Sequence, residues 1–266
     1  MNSKKKFNKI IKDIKTVKIQ GARNIAKSAL LAYSLISTKK SKKKLLSLRP
    51  TEPMMENILD MVEKGKKISE INFHFDSAQE KINQSVFRII RNKDVIFTHC
   101  HSTNVIKSLI YSHKKGKKFE VYNTETRPLF QGRKTAKELR KAGIKITMFI
   151  DSAMKQAIDN SNIVLLGADA ITKSGVINKI GSGLIAETAR DNIGKEVPVY
   201  VVSDSWKYTN KSIPIENRKL NEVWDKAPRD IKIKNPAFEF VPKKYIKAII
   251  SEFGILSYGE FIKKIR

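Results

Sequence analysis

The chain contains one cysteine, Cys100, set between two of its four histidines in the segment Thr98-His-Cys-His-Ser102. The β-branched run Val95-Ile-Phe-Thr98 precedes it and a helical pattern follows, so the thiol stands where a strand hands over to a helix. A thiol at a helix N-terminus has its pKa drawn toward neutrality and can then act as a base or nucleophile. A lone cysteine also serves as a small buried hydrophobe, and at this point both readings are open. Beside His99 and His101, no acidic cluster completes a ligand set. No metal site is expected.

A carboxyl in the same kind of position is Asp169, which follows the apolar Val164-Leu-Leu166 and the small residues Gly167 and Ala168. Half-buried there, it has its pKa raised and can act as an acid; as a turn or helix-capping residue it is structural. Asn178-Lys179 and Gly181-Ser-Gly183 read as a polar loop before a helix, where backbone N–H groups and Lys179 can cradle a phosphate. Gln20-Gly-Ala-Arg23 and Arg49 offer further anion contacts, or are ordinary surface residues.

The elements that must hold these groups change character along the chain. Phe7, Ile10, Ile11, Ile14 and Val17 recur at helical spacing, Gly21 interrupts, and Ile25, Ala26, Ala29, Leu30 and Tyr33 resume the pattern to about Ser37. Residues 39–44 read as a charge run between elements. A third helix, with Met54, Ile58, Met61 and Val62, follows Arg49-Pro-Thr51, and a fourth spans 77–91. From about Asp94, short β-branched runs at 95–98, 119–123, 144–150, 163–166 and 197–202 alternate with helical patterns at 102–112, 135–142, 152–160 and 183–192. Ala248-Ile-Ile250 supplies one more strand, and a terminal helix lies around 258–265. That alternation predicts an α/β fold, a Rossmann-like, mainly parallel sheet flanked by helices, in residues 93–266, preceded by a small all-helical domain in residues 1–92. In such sheets ligands bind beyond the carboxyl ends of the strands. Each of the five runs ends in functional groups: His99-Cys100-His101, Thr124 to Arg127, Asp151-Ser152, Gly167 to Asp169, and Ser203 to Lys207.

At 266 residues and 41% hydrophobic the chain can build one full core. No apolar run approaches the ~20 residues of a membrane span, and the N-terminal segment, with lysines among its apolar residues, does not read as a secretory signal. A single cysteine rules out a disulfide framework within the chain, and a cytoplasmic setting is expected. The net charge of +27 comes from 53 basic residues, of which 42 are Lys and 11 Arg. Thirteen lysines and Arg23 against Asp13 place a net +13 in residues 1–48. Phosphate-reading surfaces favour Arg, so the excess reads mainly as a solvated Lys-rich face. Nucleic acid is not expected as the partner, while small phosphorylated substrates would be drawn in.

Taken in order, Thr98-His-Cys-His-Ser102, Glu125-Thr-Arg-Pro128 through Gln131-Gly132, Thr135-Ala-Lys-Glu-Leu139, Asp151-Ser-Ala153, Gly167-Ala-Asp169, Val176-Ile-Asn-Lys-Ile-Gly181 and Asn235-Pro-Ala-Phe238 resemble one superfamily. It unites translation initiation factor 2B regulatory subunits, methylthioribose-1-phosphate isomerase and archaeal ribose-1,5-bisphosphate isomerase, and the resemblance runs from about residue 14 to 258. Its isomerases use the cysteine and the aspartate of these segments as a catalytic pair, which regulatory subunits commonly lack; here they are Cys100 and Asp169. The Thr-His-Cys-His-Ser and Val-Ile-Asn-Lys-Ile-Gly segments are most similar to the ribose-1,5-bisphosphate isomerase branch. The resemblance implies conversion of ribose 1,5-bisphosphate to ribulose 1,5-bisphosphate in AMP degradation, without cofactor or metal. It further implies a homo-oligomer (dimer or hexamer) and AMP as an activator. Substrate contacts would come from Gln20, Gly21, Ala22, Arg23 and Arg49 on the helical side. Ser102, Arg127, Gln131, Asn178, Lys179 and Lys207 would supply them on the sheet side. Two departures are visible: Gln20 stands where the family places Arg, and the stretch from 50 to 92 is short. The alternative within the superfamily is a noncatalytic, nucleotide-binding regulatory subunit that associates with initiation factor 2.

Overall fold

The computed structural model describes residues 2–191 and 196–266. Asn192, the expected end of one helix, lies outside them. Five helices come first: α1 (Ser3–Lys15), α2 (Ala22–Leu35), α3 (Lys39–Leu46), α4 (Pro53–Glu63) and α5 (Ile68–Ile89). Phe7, Ile10, Ile11 and Ile14 of α1 meet Ile25, Ala26, Ala29 and Leu30 of α2, Met54, Met55, Ile58 and Leu59 of α4, and Ile71 and Phe75 of α5.

Two expectations are corrected here. The lysine run at 39–44 is helical, because Thr38 and Ser41 form a capping box and Leu45 is fully buried. Lys42 Nζ also reaches Asp60 and Glu63 of α4, at 2.5 and 2.6 Å. With only Leu45 and Leu46 apolar, the segment has no period to announce it. Helix α5 starts well before residue 77, since its first half seals this helical core with Ile71 and Phe75. Its second half, through Ile82 and Val86, packs under the sheet.

The remainder alternates as the pattern requires: β1 (Val95–Thr98), α6 (Thr103–Lys114), β2 (Glu120–Thr124), α7 (Gln131–Lys141), β3 (Lys145–Phe149), α8 (Met154–Asp159) and β4 (Ile163–Leu166). Then come β5 (Ala170–Ile171), β6 (Gly175–Lys179), α9 (Ser182–Arg190), β7 (Val199–Val202), β8 (Phe238–Pro242), β9 (Ala248–Ser251), β10 (Gly254–Leu256) and α10 (Tyr258–Ile265). The main sheet runs β10-β9-β7-β4-β1-β2-β3, parallel except for β10. Successive strand residues feed opposite cores. Phe97, Val164, Leu166, Val201 and Ile249 face α8, α9 and α10. Ile96, Leu165, Val202 and Ile250 face α5, α6 and α7. Burial on both faces is what makes these strands read as unbroken apolar runs.

One element was not foreseen. A three-stranded antiparallel sheet, β5-β6-β8, sits beside the main one. Asn178 and Lys179, expected in a loop, are the last residues of β6. Pairing with β8 at Asn178↔Glu239 and Lys179↔Phe238 overrides their low strand propensity.

Candidate active site

Strand order fixes where the chemistry gathers. From β1 the chain passes through α6 to β2 on one side, whereas β4, entered after α8, lies on the other side of β1. The loops leaving β1 and β4 therefore diverge and open a crevice, the topological switch point where doubly wound sheets bind ligands. Those loops are Thr98-to-Ser102 and Gly167-to-Asp169. Gly167 keeps them close: a Cβ there would lie 2.7 Å from Ser102 Oγ and 2.8 Å from its Cβ. From Asp169 the chain turns out along β5 and returns along β6, with the Asp169 N–H donating to the Ile177 carbonyl at 2.8 Å. This hairpin delivers Asn178 and Lys179 to the same crevice.

Above it the helical core completes a cavity that opens to solvent. Cys100 and Asp169 both line it, together with Gln20, Gly21, Ala22, Arg23, Arg49, Ser102, Gln131, Asn178, Lys179 and Lys207. Gly21 caps α2 with φ +83°. Gln20 Nε2 donates to the Val17 carbonyl at 3.0 Å, and Arg23 pairs with Asp76 at 2.7 Å. Ser102 is the N-cap of α6, whose first residues Thr103 and Asn104 also face the cavity. Asn178 Nδ2 donates to Ser182 Oγ at 2.8 Å. Lys207, buried, donates to the Ala168 carbonyl at 2.6 Å, beside Asp169.

Lys207 arrives on a clamped turn, Ser205–Lys207. Asp204 Oδ1 accepts from the Trp206 N–H at 2.9 Å, and Glu252 accepts from the Ser205 N–H at 3.1 Å and from its hydroxyl. The Trp206 ring stacks on His74 of α5 at 3.5 Å, while Asn57 of α4 donates to the Trp206 and Tyr208 carbonyls at 2.8 and 3.0 Å.

Cys100 is held with φ +64°, a left-handed backbone uncommon for a residue with a Cβ. Its N–H donates to Thr126 Oγ1 at 3.0 Å, and its carbonyl accepts from Thr135 Oγ1 at 2.7 Å. Thr126, itself at φ +61°, is fixed by its N–H donating to Asp151 Oδ1 at 2.9 Å. The histidines on either side are committed separately. His99 contacts Thr124 Oγ1 through Nδ1 at 2.5 Å and the Ile180 carbonyl through Nε2 at 2.9 Å. The carbonyl requires a proton on Nε2, so Nδ1 accepts from the threonine. Burial pushes His99 down to about 4, which keeps it neutral. His101 Nε2 lies 3.1 Å from Glu138.

Three expectations fail. The helix N-terminus does not win at Cys100: burial, only partly opposed by Lys179, pushes the thiol up to about 11, with Asp169 and Asp151 adding to the rise. Arg127 does not line the cavity. Asp151 Oδ2 ties down its backbone N–H at 2.6 Å, and its exposed guanidinium donates to the Val223 carbonyl at 2.9 Å. The N–H of Gly183 is already taken by Glu239 Oε1 at 2.7 Å, so the turn before α9 does not present that donor to a phosphate. Asp169 behaves as expected: burial holds its carboxyl above the usual range, against the pull of Lys207, Arg49 and Lys179.

Two charged cavity residues were not singled out in the sequence. Glu52 precedes α4, and Arg218 comes from the long irregular stretch before β8. Arg218 is braced by Glu216 at 3.0 Å and Glu222 at 2.6 Å. Arg49 Nε lies 3.1 Å from Glu216 Oε2, yet the angle makes no hydrogen bond and both atoms are buried without one. Glu52 carried one local signal, its place among Pro50, Thr51, Pro53, Met54 and Met55, which marks a buried helix start.

A description of the initiation factor 2 subunit family matches residues 8–258. The chain belongs to that family. Ribose 1,5-bisphosphate isomerase of Methanocaldococcus jannaschii is 36% identical to it, over 91% of this chain and 89% of that protein. Ribose 1,5-bisphosphate isomerase of Archaeoglobus fulgidus is 33% identical over 91% and 87%. Translation initiation factor eIF-2B of Pyrococcus horikoshii OT3 superposes with a TM-score of 0.83 at 26% identity, over 94% of this chain and 96% of that one. Family membership and the α/β fold with a mostly parallel sheet thus agree with the sequence reading. Among the described residues no helix is long and apolar enough to cross a membrane.

Proposed function

We propose that this member of the initiation factor 2 subunit family is a ribose-1,5-bisphosphate isomerase, an aldose–ketose isomerase acting on a sugar bisphosphate. One observation carries the reading: a thiol and a carboxyl from loops on either side of the switch point line one cation-rich cavity. The named isomerase relatives, alike over nine-tenths of the chain, support the same class of reaction.

In ribose 1,5-bisphosphate C1 carries both a phosphate ester and the ring oxygen, so the carbonyl can move only if the ring opens. The Cys100 thiolate takes the proton from C2, and the C–H electron pair becomes the C1–C2 double bond. The bond from C1 to the ring oxygen breaks as Asp169 protonates that oxygen. The enol hydroxyl at C2 then returns a proton to the Asp169 carboxylate while the Cys100 thiol delivers one to C1. The product is ribulose 1,5-bisphosphate, and both residues end as they began. Asp169 held above the usual carboxylate range suits the donor role. A thiol at about 11 makes the thiolate scarce at neutral pH but strongly basic once formed.

One phosphate is met by Lys179, Lys207 and Arg49. The other is met by Gly21, Ala22 and Arg23 with the N-terminus of α6. Closure of the helical domain, residues 1–92, over the sheet domain, residues 93–266, would keep water out. A role in AMP degradation, activation by AMP, a homo-oligomeric state and a cytoplasmic setting belong to the same proposal.

Purified protein given ribose 1,5-bisphosphate should yield ribulose 1,5-bisphosphate, faster with AMP, and Cys100→Ser should not. No turnover with any sugar phosphate, alongside a stable complex with initiation factor 2, would identify the regulatory-subunit alternative.

A further inference from the structure

Glu52 has no task in the chemistry above. It stands at the start of α4 but makes no capping hydrogen bond there. Its side chain is 1% exposed, it lines the cavity, and Oε2 has no hydrogen-bond partner. The guanidinium of Arg49 is 3.7 Å from Oε1, beyond hydrogen-bond reach. A buried carboxylate left in that state is costly, and the group avoids the cost by keeping its proton. Burial and the neighbouring Asp169 push it up to about 8, with Glu216 adding and Arg49 and Lys207 opposing.

A neutral carboxylic acid offers one donor and free acceptor capacity. Phosphates ask only for donors and positive charge, and the cavity already supplies both through Arg49, Lys179 and Lys207. The partner that matches a combined donor and acceptor is a hydroxyl. Gln131 Oε1 is another buried cavity-wall acceptor without a partner.

We propose that Glu52 is a specificity-determining residue, a carboxylic acid that reads a hydroxyl of the sugar chain between the two phosphates. The inference rests on the isomerase reading and adds to it a means of choosing polyhydroxylated bisphosphates over bisphosphates of equal length without hydroxyls. A hydroxyl-free ligand would leave the acid desolvated and unpaired, the situation in which polar sites reject analogues most strongly.

The test compares dissociation constants of ribulose 1,5-bisphosphate and 1,5-pentanediol bisphosphate at pH 7 and 9, in Cys100→Ser protein to stop turnover. The parent should prefer ribulose 1,5-bisphosphate by about tenfold or more at pH 7. Glu52→Gln, which keeps a neutral donor and acceptor, should retain the preference, and Glu52→Leu should lose most of it. At pH 9 the parent's preference should shrink while that of Glu52→Gln stays, an arm that decides the matter even if Glu52→Leu fails to fold. A parent that binds both ligands equally, a Leu variant that keeps the preference, or a parent and Gln variant with the same pH response would overturn the proposal for Glu52 alone. A parent that binds neither bisphosphate would overturn the isomerase reading beneath it.

Discussion

The two walls of the cavity are built on different physical terms. On the sheet side, Lys179 and Lys207 are buried and anchored through backbone: one ends a paired strand, the other bonds the Ala168 carbonyl. On the helical side, Gln20 and Gly21 are exposed, and Arg23 is tied to Asp76, a carboxylate 74% exposed. A pair whose carboxylate is that exposed contributes little, whereas a buried cation facing buried carboxyls cannot be removed without leaving them uncompensated. The sheet wall should therefore couple charge to stability, while the rim of the helical wall from Gln20 to Arg23 should affect binding alone.

The largest effect tests the centre where the walls meet. Cys100→Ser should lower kcat by about 10³-fold or more in the isomerase assay, with thermal unfolding unchanged. Next comes the contrast itself. Lys207→Met should raise KM and lower Tm by roughly 6–12 °C, since a broken buried pair costs on the order of 3 kcal/mol. Arg23→Met should raise KM about tenfold and move Tm by less than about 2 °C. Equal losses of Tm would erase the distinction.

Because Cys100 is the only cysteine, its alkylation by iodoacetamide reports one thiol. The rate should climb with pH to a midpoint near the value of about 11 set by burial, and higher still in Lys179→Met. A midpoint near 8.5 would mean that the sheet wall is wetter than its packing implies. Glu52 binds its proton more tightly folded, at about 8, than unfolded, at about 4.5. Its stabilising contribution is thus complete below about pH 4.5 and lost as pH rises through about 8. Tm of the wild type should fall across that window, and Glu52→Gln should flatten the fall. The smallest change belongs to Asp76→Asn, within about 0.5 kcal/mol of the wild type in urea unfolding and less than threefold in KM.

Strand ends were legible because each follows its strand by a few residues, and a parallel sheet places all such ends on one edge. Cys100, Asp169 and Lys207 are local consequences of that geometry. Asn178 and Lys179 were read as polar loop, since their strand pairing is with β8, some sixty residues on. Arg127 looked equivalent to its neighbours, but Asp151 holds its backbone and its guanidinium reaches the Val223 carbonyl away from the cavity. The pKa of Cys100 was misjudged because proximity to a helix is written in the sequence, while the low dielectric at the packed floor of a crevice is not. Arg218 enters through tertiary docking, for which spacing along the chain carries no signal, and Glu52 left only the trace of a buried helix start before Pro53.

The turn from Ser205 to Lys207 has a mechanical consequence. Its two flanking contacts, the indole on His74 and the amide of Asn57, belong to the helices, while its ammonium belongs to the crevice floor. Lifting the helices to admit a ligand must either snap those fasteners or drag the ammonium away with them. Access and charge are thereby geared to one another, and a doorway that swings on this hinge rearranges the room as it opens.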